Sequence, residues 1–284
     1  FPFNIIYKSD WKTNSFAMVF KHYTMPMELT ADVDGDGVKE FFLVEQRPDT
    51  SLFHVVSTAG GGTILYTHVV TNPAVSGRRW ECFIRPFAGR DVTGDGVAEI
   101  LAVLHTTAAY QPRGIRAIDW KNEDTAWDFP TGFPPNTPAL ADVNGDSGSD
   151  IVFGGSAPDN GRGAVGPGKM VVNGTDDAHT YIMSVDSLGN LLKKKVLGDH
   201  PYRLSRVFAH DADGDGAADI FVKTDATGSE TFAVWNTEAN SLRPSIVLDP
   251  GDKITDVEFI DMDRDGEDDI LLALVRGEVR WYNA

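Results

Sequence analysis

The chain has 284 residues, 42% of them hydrophobic, so it is long enough to bury a well-packed core in a single all-β domain. Its formal net charge of −17 argues against nucleic acid as a partner, because phosphate backbones require a basic protein surface. No apolar run reaches the length of about 18 residues that a membrane-spanning helix needs, so we predict no membrane span within this sequence.

One pattern, D-x-[DNT]-x-D-x-x-x-[DE], occurs five times, and each copy is followed by an apolar run. In chain order the copies are loop 1 (32–40), loop 2 (91–99), loop 3 (142–150), loop 4 (211–219) and loop 5 (261–269). Oxygens at positions 1, 3, 5 and 9, with the carbonyl of position 7, suit the six to eight oxygen ligands of Ca²⁺. Carboxylates about 4 Å apart repel by roughly 4 kcal/mol, and a divalent ion reverses that sign.

We therefore predict up to five Ca²⁺ ions, bound at positions 1, 3, 5, 7 and 9 of each loop. In loop order, the predicted ligands are Asp32, Asp34, Asp36, Val38 and Glu40; Asp91, Thr93, Asp95, Val97 and Glu99; Asp142, Asn144, Asp146, Gly148 and Asp150; Asp211, Asp213, Asp215, Ala217 and Asp219; and Asp261, Asp263, Asp265, Glu267 and Asp269. Loop 3 is expected to be the weakest, because Ser147 occupies the usual glycine position. The strongly acidic loops 4 and 5 are expected to bind most tightly.

These loops differ from EF-hands, which carry a bidentate Glu at position 12 and a following helix. Position 12 is apolar in every copy, and the residues there are Leu43, Ala102, Phe153, Val222 and Leu272. The residues after each loop have the composition of buried strands. A single copy would be no more than an acidic turn, whereas five copies in register favour calcium.

The spacing of the loops predicts the architecture. Their first aspartates lie 59, 51, 69 and 50 residues apart, which is typical of a solenoid, propeller or array. Each unit reads as four strands; in the third unit these are 137–143, 150–154, 181–185 and 190–196. Four-stranded units arranged radially form a β-propeller. An open solenoid is the competing architecture, but neither end shows a polar capping repeat.

We predict an all-β, five-bladed β-propeller in one domain, 1–284, with a calcium loop between the first and second strands of each blade. The predicted blades are 27–70, 83–130, 137–197, 204–248, and 255–284 completed by 1–20. The last unit lacks an outer strand after its loop, and the stretch 3–8 is predicted to supply it.

The units resemble the FG-GAP/VCBS repeats of integrin-type β-propellers. The segments that carry the resemblance are Thr-Pro-Ala-Leu-Ala-Asp-Val-Asn-Gly-Asp (137–146) and Tyr-Ile-Met-Ser-Val-Asp-Ser-Leu-Gly-Asn-Leu-Leu (181–192). The resemblance covers the chain and is most specific at the five loops; the Phe-Gly…Gly-Ala-Pro signature is largely missing. It implies that the calcium loops share one face and that a protein or glycan ligand binds the opposite face. The segments mapped to that face are 21–26, 72–80, 105–113, 154–180 and 199–202.

Two segments of that face are candidate ligand sites. Arg78, Arg79 and Trp80 could hold a carboxylate or sulfate while the ring stacks on a sugar; alternatively, Trp80 caps a blade edge and the arginines are solvated. The insertion 154–180 is either functional or merely mobile. His105, Tyr110 and Arg113 could also serve a polysaccharide lyase as base, acid and carboxylate neutraliser, or be ordinary loop residues.

Calcium-dependent folding makes most sense where calcium is abundant, so we expect an extracellular or periplasmic protein. No signal peptide is visible, and because the chain starts abruptly at Phe1 we expect a mature or excised domain. The single cysteine, Cys82, excludes an internal disulfide and is expected to be a buried apolar residue. Asn173-Gly-Thr175 is a possible glycosylation sequon.

The sequence contains no G-x-S-x-G elbow, H-E-x-x-H or phosphate-binding loop. We therefore expect a non-catalytic, calcium-stabilised module that binds a protein or glycan, for example a sensor or adhesion ectodomain. Two alternatives remain open at this stage. One is a polysaccharide lyase or other carbohydrate-active enzyme, and the other is a structural spacer of a surface protein.

Overall fold

The structure is a computed structural model. It describes residues 5–10, 15–21, 31–47, 50–59, 62–71, 82–106, 111–136, 138–159, 171–213, 215–226 and 229–283. Within these ranges the regular structure consists of strands, with no α-helix, so the predicted all-β class is confirmed. The described part of the chain therefore also contains no helix long and apolar enough to cross a membrane. The residues cluster into two compact units, one before and one after the boundary at Pro130 and Thr131.

The first unit contains two sheets and a separate hairpin, all with antiparallel neighbours. The hairpin pairs β1 (Ile5–Asp10) with β2 (Ser15–Lys21). The first sheet has the order β3 (Phe41–Gln46), β4 (Thr50–Ser57), β5 (Thr63–Thr71). The second sheet has the order β6 (Cys82–Arg90), β7 (Glu99–Thr106), β8 (Gly114–Asp119), β9 (Asp124–Pro130).

The second unit contains three sheets with the same up-and-down order. The third sheet is β10 (Ala139–Ala141), β11 (Asp150–Gly155), β14 (His179–Val185) and β15 (Leu191–Asp199); a small hairpin, β12 (Val171–Val172) with β13 (Thr175–Asp176), lies between β11 and β14 in sequence. The fourth sheet is β16 (Arg203–His210), β17 (Asp219–Ala226), β18 (Ser229–Asn236) and β19 (Ser241–Val247). The fifth is β20 (Ile254–Ile260), β21 (Asp269–Leu274) and β22 (Val279–Tyr282).

In the second and third sheets, the strand after the loop is the most buried part of the sheet. In β7 every residue except His105 is buried, and all six residues of β11 are buried. Strands covered on both faces read as continuous apolar runs, which is why they were predictable. The cores between sheets are built from these strands; in the first unit, Phe42 and Phe53 stack with ring centroids 5.3 Å apart.

The four strands predicted for the third unit are present, with β10 shorter than expected and β15 longer. The fifth sheet has three strands, and the N-terminal strand β1 pairs with β2 in a sheet of its own. Completion of the last blade by the N-terminal strand therefore stays a prediction, as do the number of blades and the single domain. Cys82 is fully buried, as expected, and burial raises the pKa of its thiol to about 12.

A partly buried polar network joins the first and second sheets. Arg116 donates to both carboxylate oxygens of Asp128, at 3.3 and 2.8 Å, and lies 3.1 Å from Nε2 of His68. A guanidinium can only donate, so Nε2 accepts and the proton of the neutral ring sits on Nδ1, 3.1 Å from the hydroxyl of Tyr66. Burial, followed by the charge of Arg116, lowers the pKa of His68 to about 4.

This network predicts acid-sensitive stability. The folded pKa of His68, about 4, lies below the unfolded value of about 6.5, so its contribution is complete above pH 6.5 and is lost as the pH falls towards 4. The loss is on the order of 2–3 kcal/mol. Replacing His68→Gln removes this titration, so urea unfolding of the variant should lose less stability than wild type between about pH 7 and pH 4. Identical pH profiles of the variant and wild type would contradict the assignment.

Candidate metal centres

Four of the acidic loops join the first strand of a sheet to the second. Loops 2, 3, 4 and 5 connect β6–β7, β10–β11, β16–β17 and β20–β21, as predicted. Loop 1 follows Ala31, whose carbonyl accepts a hydrogen bond from the N–H of Glu40, and leads into β3. Because β3 is the first described strand of its sheet, the predicted strand before loop 1 stays a prediction.

The aspartate at position 1 shapes each loop from inside. In loop 1, Asp32 accepts hydrogen bonds from the N–H groups of Gly35 and Gly37 at 2.8 and 3.0 Å. Asp91, Asp142 and Asp261 accept the two equivalent bonds in their own loops. Asp211 accepts the bond from position 6, Gly216, at 2.9 Å. The carboxylate thus holds the backbone in a tight curl around the predicted ion.

The curl requires left-handed backbone at positions 4 and 6. Gly35 and Gly37 have φ of 78° and 84°, which glycine adopts without strain. In loop 3 the position-6 residue is Ser147, with φ of 66°, and in loop 5 the position-4 residue is Arg264, with φ of 64°. Loop 3 therefore keeps the geometry of the others, although a side chain stands where they have glycine.

Position 5 closes the turn. Asp36 accepts the N–H of Val38 at 2.7 Å. The same bond to position 7 is made by Asp95, Asp146, Asp215 and Asp265. Because that bond uses one carboxylate oxygen, Oδ1, the other oxygen and the carbonyl of position 7 are left as candidate ligands.

Position 9 is the first residue of the inner strand, or the residue before it, and it reaches back under the loop. Glu40, Glu99, Asp150 and Asp269 are at most 2% exposed, and Asp219 is half-buried. One oxygen of each of the four buried carboxylates accepts the N–H of position 2 in its own loop. In loop 1, Val33 donates to Oε2 of Glu40 at 3.0 Å. A buried carboxylate is therefore fixed beneath each of these loops.

Four loops bring three acidic ligand atoms within 4.8 Å of one another. The groups are Asp32, Asp34 and Asp36; Asp91, Asp95 and Glu99; Asp211, Asp213 and Asp215; and Asp261, Asp263 and Asp265. Loop 3, which is fully described, forms no such group. There the amide of Asn144 donates to Asp146 at 3.0 Å and takes up a carboxylate oxygen.

Loop 1 contains a buried oxygen that the described residues leave unsatisfied. Oε1 of Glu40 has no hydrogen-bond partner among them, although its residue is fully buried. Burial, reinforced by the charges of Asp34 and Asp36, raises the pKa of Glu40. An unpaired buried carboxylate is costly, and a cation in the loop would supply the missing partner. The donor set therefore fits a hard divalent ion.

In loop 2 the protein itself supplies hydrogen-bond donors to the buried carboxylate, Glu99. The Thr93 hydroxyl donates to Oε1 of Glu99 at 3.1 Å, and the N–H groups of Val92 and Thr93 donate to Oε2 at 2.7 and 3.2 Å. Both oxygens are thus satisfied without an ion. Thr93 stands at position 3, where loops 1, 4 and 5 have Asp, and its hydroxyl supplies a donor that those side chains cannot.

The contrast between Glu40 and Glu99 predicts how substitution of Glu40 changes stability without and with Ca²⁺. Glu40→Gln removes a buried charge but keeps an acceptor for Val33, so in EDTA the variant should be more stable than wild type, by on the order of 1 kcal/mol. In excess Ca²⁺ it should gain less from the ion than wild type does. Thermal unfolding with and without Ca²⁺ measures both.

The matched control is Glu99→Gln, where both oxygens already have donors. It should bring no stabilisation in EDTA. A Glu40→Gln protein that is destabilised in EDTA, or that gains as much from Ca²⁺ as wild type, would refute the role given to the unsatisfied oxygen.

Four of the five predicted ligand-face residues, Arg78, Arg79, Trp80 and Tyr110, lie outside the described residues. Arg113 lies just before β8 and is only 1% exposed; its backbone N–H donates to the side chain of Gln111 at 2.7 Å. His105, on β7, packs edge-on against Phe83, and burial lowers the pKa of its ring to about 4. A ring held neutral by burial is a poor acceptor of a substrate proton at neutral pH.

The structure brings together two segments that the resemblance assigned to the ligand face. Strand β11 begins at loop 3, and its other end leads into the insertion 154–180. The insertion lies beside the turn at 199–202, which follows β15. His200 bonds through its N–H to the carbonyl of Ala178 at 3.0 Å and through Nδ1 to that of Ala157 at 2.7 Å. The hydroxyl of Thr180 donates to the carbonyl of Tyr202 at 2.6 Å. We call residues 156–159, 171–180 and 199–202 the insertion surface.

A charged cluster on this surface was missed in the sequence. Nδ1 of His179 lies 2.7 and 2.9 Å from the two oxygens of Asp176, and Nε2 lies 3.4 Å from Asp199. Burial acts to raise the pKa of Asp176, but hydrogen bonds from His179 and Ala178 outweigh it and lower the pKa. The Asp-x-x-His spacing is a weak local signal. The contact with Asp199 depends on strand register, which places His179 opposite Asp199.

Comparison with known proteins identifies the repeat. Residues 211–272, from the start of loop 4 into β21, match the family described as FG-GAP-like repeat. A solved structure titled "Structure of Dos1 propeller" aligns with a TM-score of 0.54 at 8% identity, covering 99% of this chain and 62% of that one. This likeness shows the fold alone. The chain therefore contains an FG-GAP-like repeat at 211–272 and is similar in fold to a solved propeller.

Two further solved structures are similar at lower scores. They are a polysaccharide lyase, Uly1 (TM-score 0.41, 11% identity, 93% of this chain and 58% of that one), and the V. cholerae biofilm matrix protein Bap1 (TM-score 0.22, 14% identity, 99% and 62%). At these scores neither supports an inference about fold or function. The chain spans about three-fifths of the length of each of the three structures. No curated protein matches it.

Proposed function

We propose that this FG-GAP-repeat protein is a non-catalytic, calcium-stabilised binding module that works outside the cytosol. The observation that supports it most directly is the buried, unsatisfied oxygen of Glu40 beneath a group of three aspartates. Repulsion among such carboxylates, roughly 4 kcal/mol per pair at about 4 Å, makes the empty loops a source of instability. An ion at each loop would convert that repulsion into a clamp between the first and second strands.

Calcium suits these loops better than magnesium or a transition metal. The candidate ligands are carboxylate, carbonyl and hydroxyl or amide oxygens, with no histidine or cysteine among them. Mg²⁺ demands near-ideal octahedral geometry and keeps several waters, whereas Ca²⁺ accepts six to eight oxygens in a flexible arrangement. Extracellular calcium modules work at dissociation constants of about 0.1–1 mM, so these loops would fill outside the cytosol.

Removal of calcium should lower the melting temperature strongly. An ion that binds only the native state adds about 2.7 kcal/mol per site at a hundredfold excess over its dissociation constant. We expect the largest effects from loops 1, 4 and 5, where all four side-chain ligands are carboxylates, and the smallest from loop 3. Calorimetric scans in Ca²⁺, Mg²⁺ and EDTA measure this. An EDTA scan that superimposes on the Ca²⁺ scan would remove the basis of the proposal.

The proposal includes five blades, with the N-terminal strand completing the last. The support is that the fifth sheet has three strands where the sheets before it in the second unit have four, and that Val279 and Trp281 of β22 are more than half exposed. Hydrogen exchange of the β22 amides, compared between the full chain and a chain lacking residues 1–21, tests the pairing. Equal protection in both would count against it.

The ligand is proposed to be a protein or a glycan held at the insertion surface, on the opposite end of β11 from loop 3. Loops carried on a rigid sheet scaffold are where binding sites concentrate. His179 with its two flanking carboxylates supplies donors and acceptors for hydroxyl groups or a basic side chain there.

A glycan array and a pull-down from culture medium, both in Ca²⁺, test this role. Capture that is lost in the double variant Asp176→Asn, Asp199→Asn is the expected result; Asp225→Asn, on another sheet, is the control. No capture in either assay would argue for a structural spacer. Release of unsaturated uronates from pectic or ulvan-like polysaccharides would instead establish a lyase.

A further inference from the structure

Loops 4 and 5 touch each other directly through the backbone. The N–H of Asp268 donates to the carbonyl of Ala212 at 2.9 Å. Ala212 is position 2 of loop 4, between two predicted ligands, and Asp268 is position 8 of loop 5, next to the buried ligand Asp269. This hydrogen bond therefore links the backbones of the two predicted ion sites directly.

The bond extends into a continuous chain between ligands. The N–H of Ala212 bonds to the carboxylate of Asp219, the position-9 ligand of loop 4. On the other side, Asp269 accepts the N–H of Met262 at 3.0 Å, which closes loop 5. Fixing Asp219 on an ion therefore fixes Ala212, and through it the backbone next to Asp269.

Side chains brace the same junction. Nε2 of His210, the residue before loop 4, lies 2.7 Å from a carboxylate oxygen of Asp268. The His210 ring stacks on Phe259 of β20 at 4.4 Å between centroids, with the rings 15° from parallel. The last residue of β16, the end of loop 5 and strand β20 are thus packed into one contact.

From these contacts we propose that loops 4 and 5 bind their ions cooperatively, as one paired site. The inference rests on the proposed calcium binding and adds its regulation. The charge of a bound ion opposes this cooperativity, because an ion in one loop reduces the negative field at the other loop and so weakens binding there. That effect is screened beyond about 8 Å at physiological ionic strength, whereas the backbone link is not screened. Positive coupling is therefore expected at about 0.15 M salt.

Loops 1 and 2 provide a natural comparison. They occupy the neighbouring first and second sheets of the other unit, and both hold three close acidic groups. Among their described residues no backbone hydrogen bond runs from one loop to the other. They should therefore fill independently.

The test is a Ca²⁺ titration followed by NMR at the glycine in position 6 of each loop. Gly216 and Gly266 donate to the position-1 aspartates, so each amide signal reports its own loop. Silencing loop 5 with Asp263→Asn and Asp265→Asn should weaken Ca²⁺ binding at loop 4 about fivefold or more. Silencing loop 4 with Asp213→Asn and Asp215→Asn should weaken loop 5 by the same factor, because coupling is reciprocal.

The matched control is Asp34→Asn with Asp36→Asn, with loop 2 read at Gly96, where a change below about twofold is expected. It removes the same number of charges at the same positions, so it corrects for electrostatics. Cooperativity is refuted if loop 4 responds to silencing of loop 5 no more than loop 2 responds in this control. A wild-type protein whose Gly216 and Gly266 signals ignore Ca²⁺ would instead refute calcium binding itself.

Discussion

The position-9 carboxylate is the constraint on which each sheet depends. It begins or immediately precedes the inner strand, it is buried in four of the five loops, and it accepts the N–H of position 2 in those four. A buried charge is tolerated only when hydrogen bonds or counter-charge compensate its desolvation. The position-9 side chain therefore links the strand after the loop to the backbone of the acidic loop. Displacing either the strand or the loop would break the hydrogen bond that compensates the buried charge.

The five loops meet this constraint to different degrees. In loop 2 the Thr93 hydroxyl and two backbone N–H groups satisfy Glu99, and in loop 3 the amide of Asn144 takes up an oxygen of Asp146. In loop 1 one oxygen of Glu40 has no donor among the described residues. Loops 2 and 3 carry an uncharged residue at position 3, and in both of them that residue donates a hydrogen bond to a carboxylate of its own loop.

Much of this was readable in the sequence because the determinants are local. A carboxylate that bonds to N–H groups three and five residues on, with glycine at the left-handed positions, leaves a fixed spacing of Asp and Gly. The apolar run after each loop likewise predicted strands such as β7 and β11. Ser147 and Arg264 show the limit of that signal, since both adopt the left-handed conformation that the pattern assigns to glycine.

The contacts that connect elements were not readable in this way. The pairing of His179 with Asp199 depends on the register of β14 with β15, and register is set by how side chains pack along both strands. The contact of His210 with Asp268 joins residues 58 positions apart, and no pattern within either loop encodes it. The lyase alternative needs Arg113 and His105 at the surface, but Arg113 is buried and His105 half-buried, which follows from packing that the sequence does not specify.

The two ends of the third sheet differ in a way that separates stability from recognition. At the loop end, Asp142, Asp146 and Asp150 hold the backbone by short-range hydrogen bonds from its N–H groups, so substitutions of these residues should alter folding. At the other end, the insertion surface is held by bonds from His200 and Thr180 to main-chain carbonyls, which constrain the backbone while leaving the outward side chains free to vary. Asp199 is 83% exposed and contributes little to the core. Substitutions of such exposed side chains should therefore cost little stability, and loops carried on a rigid sheet scaffold are where binding sites concentrate.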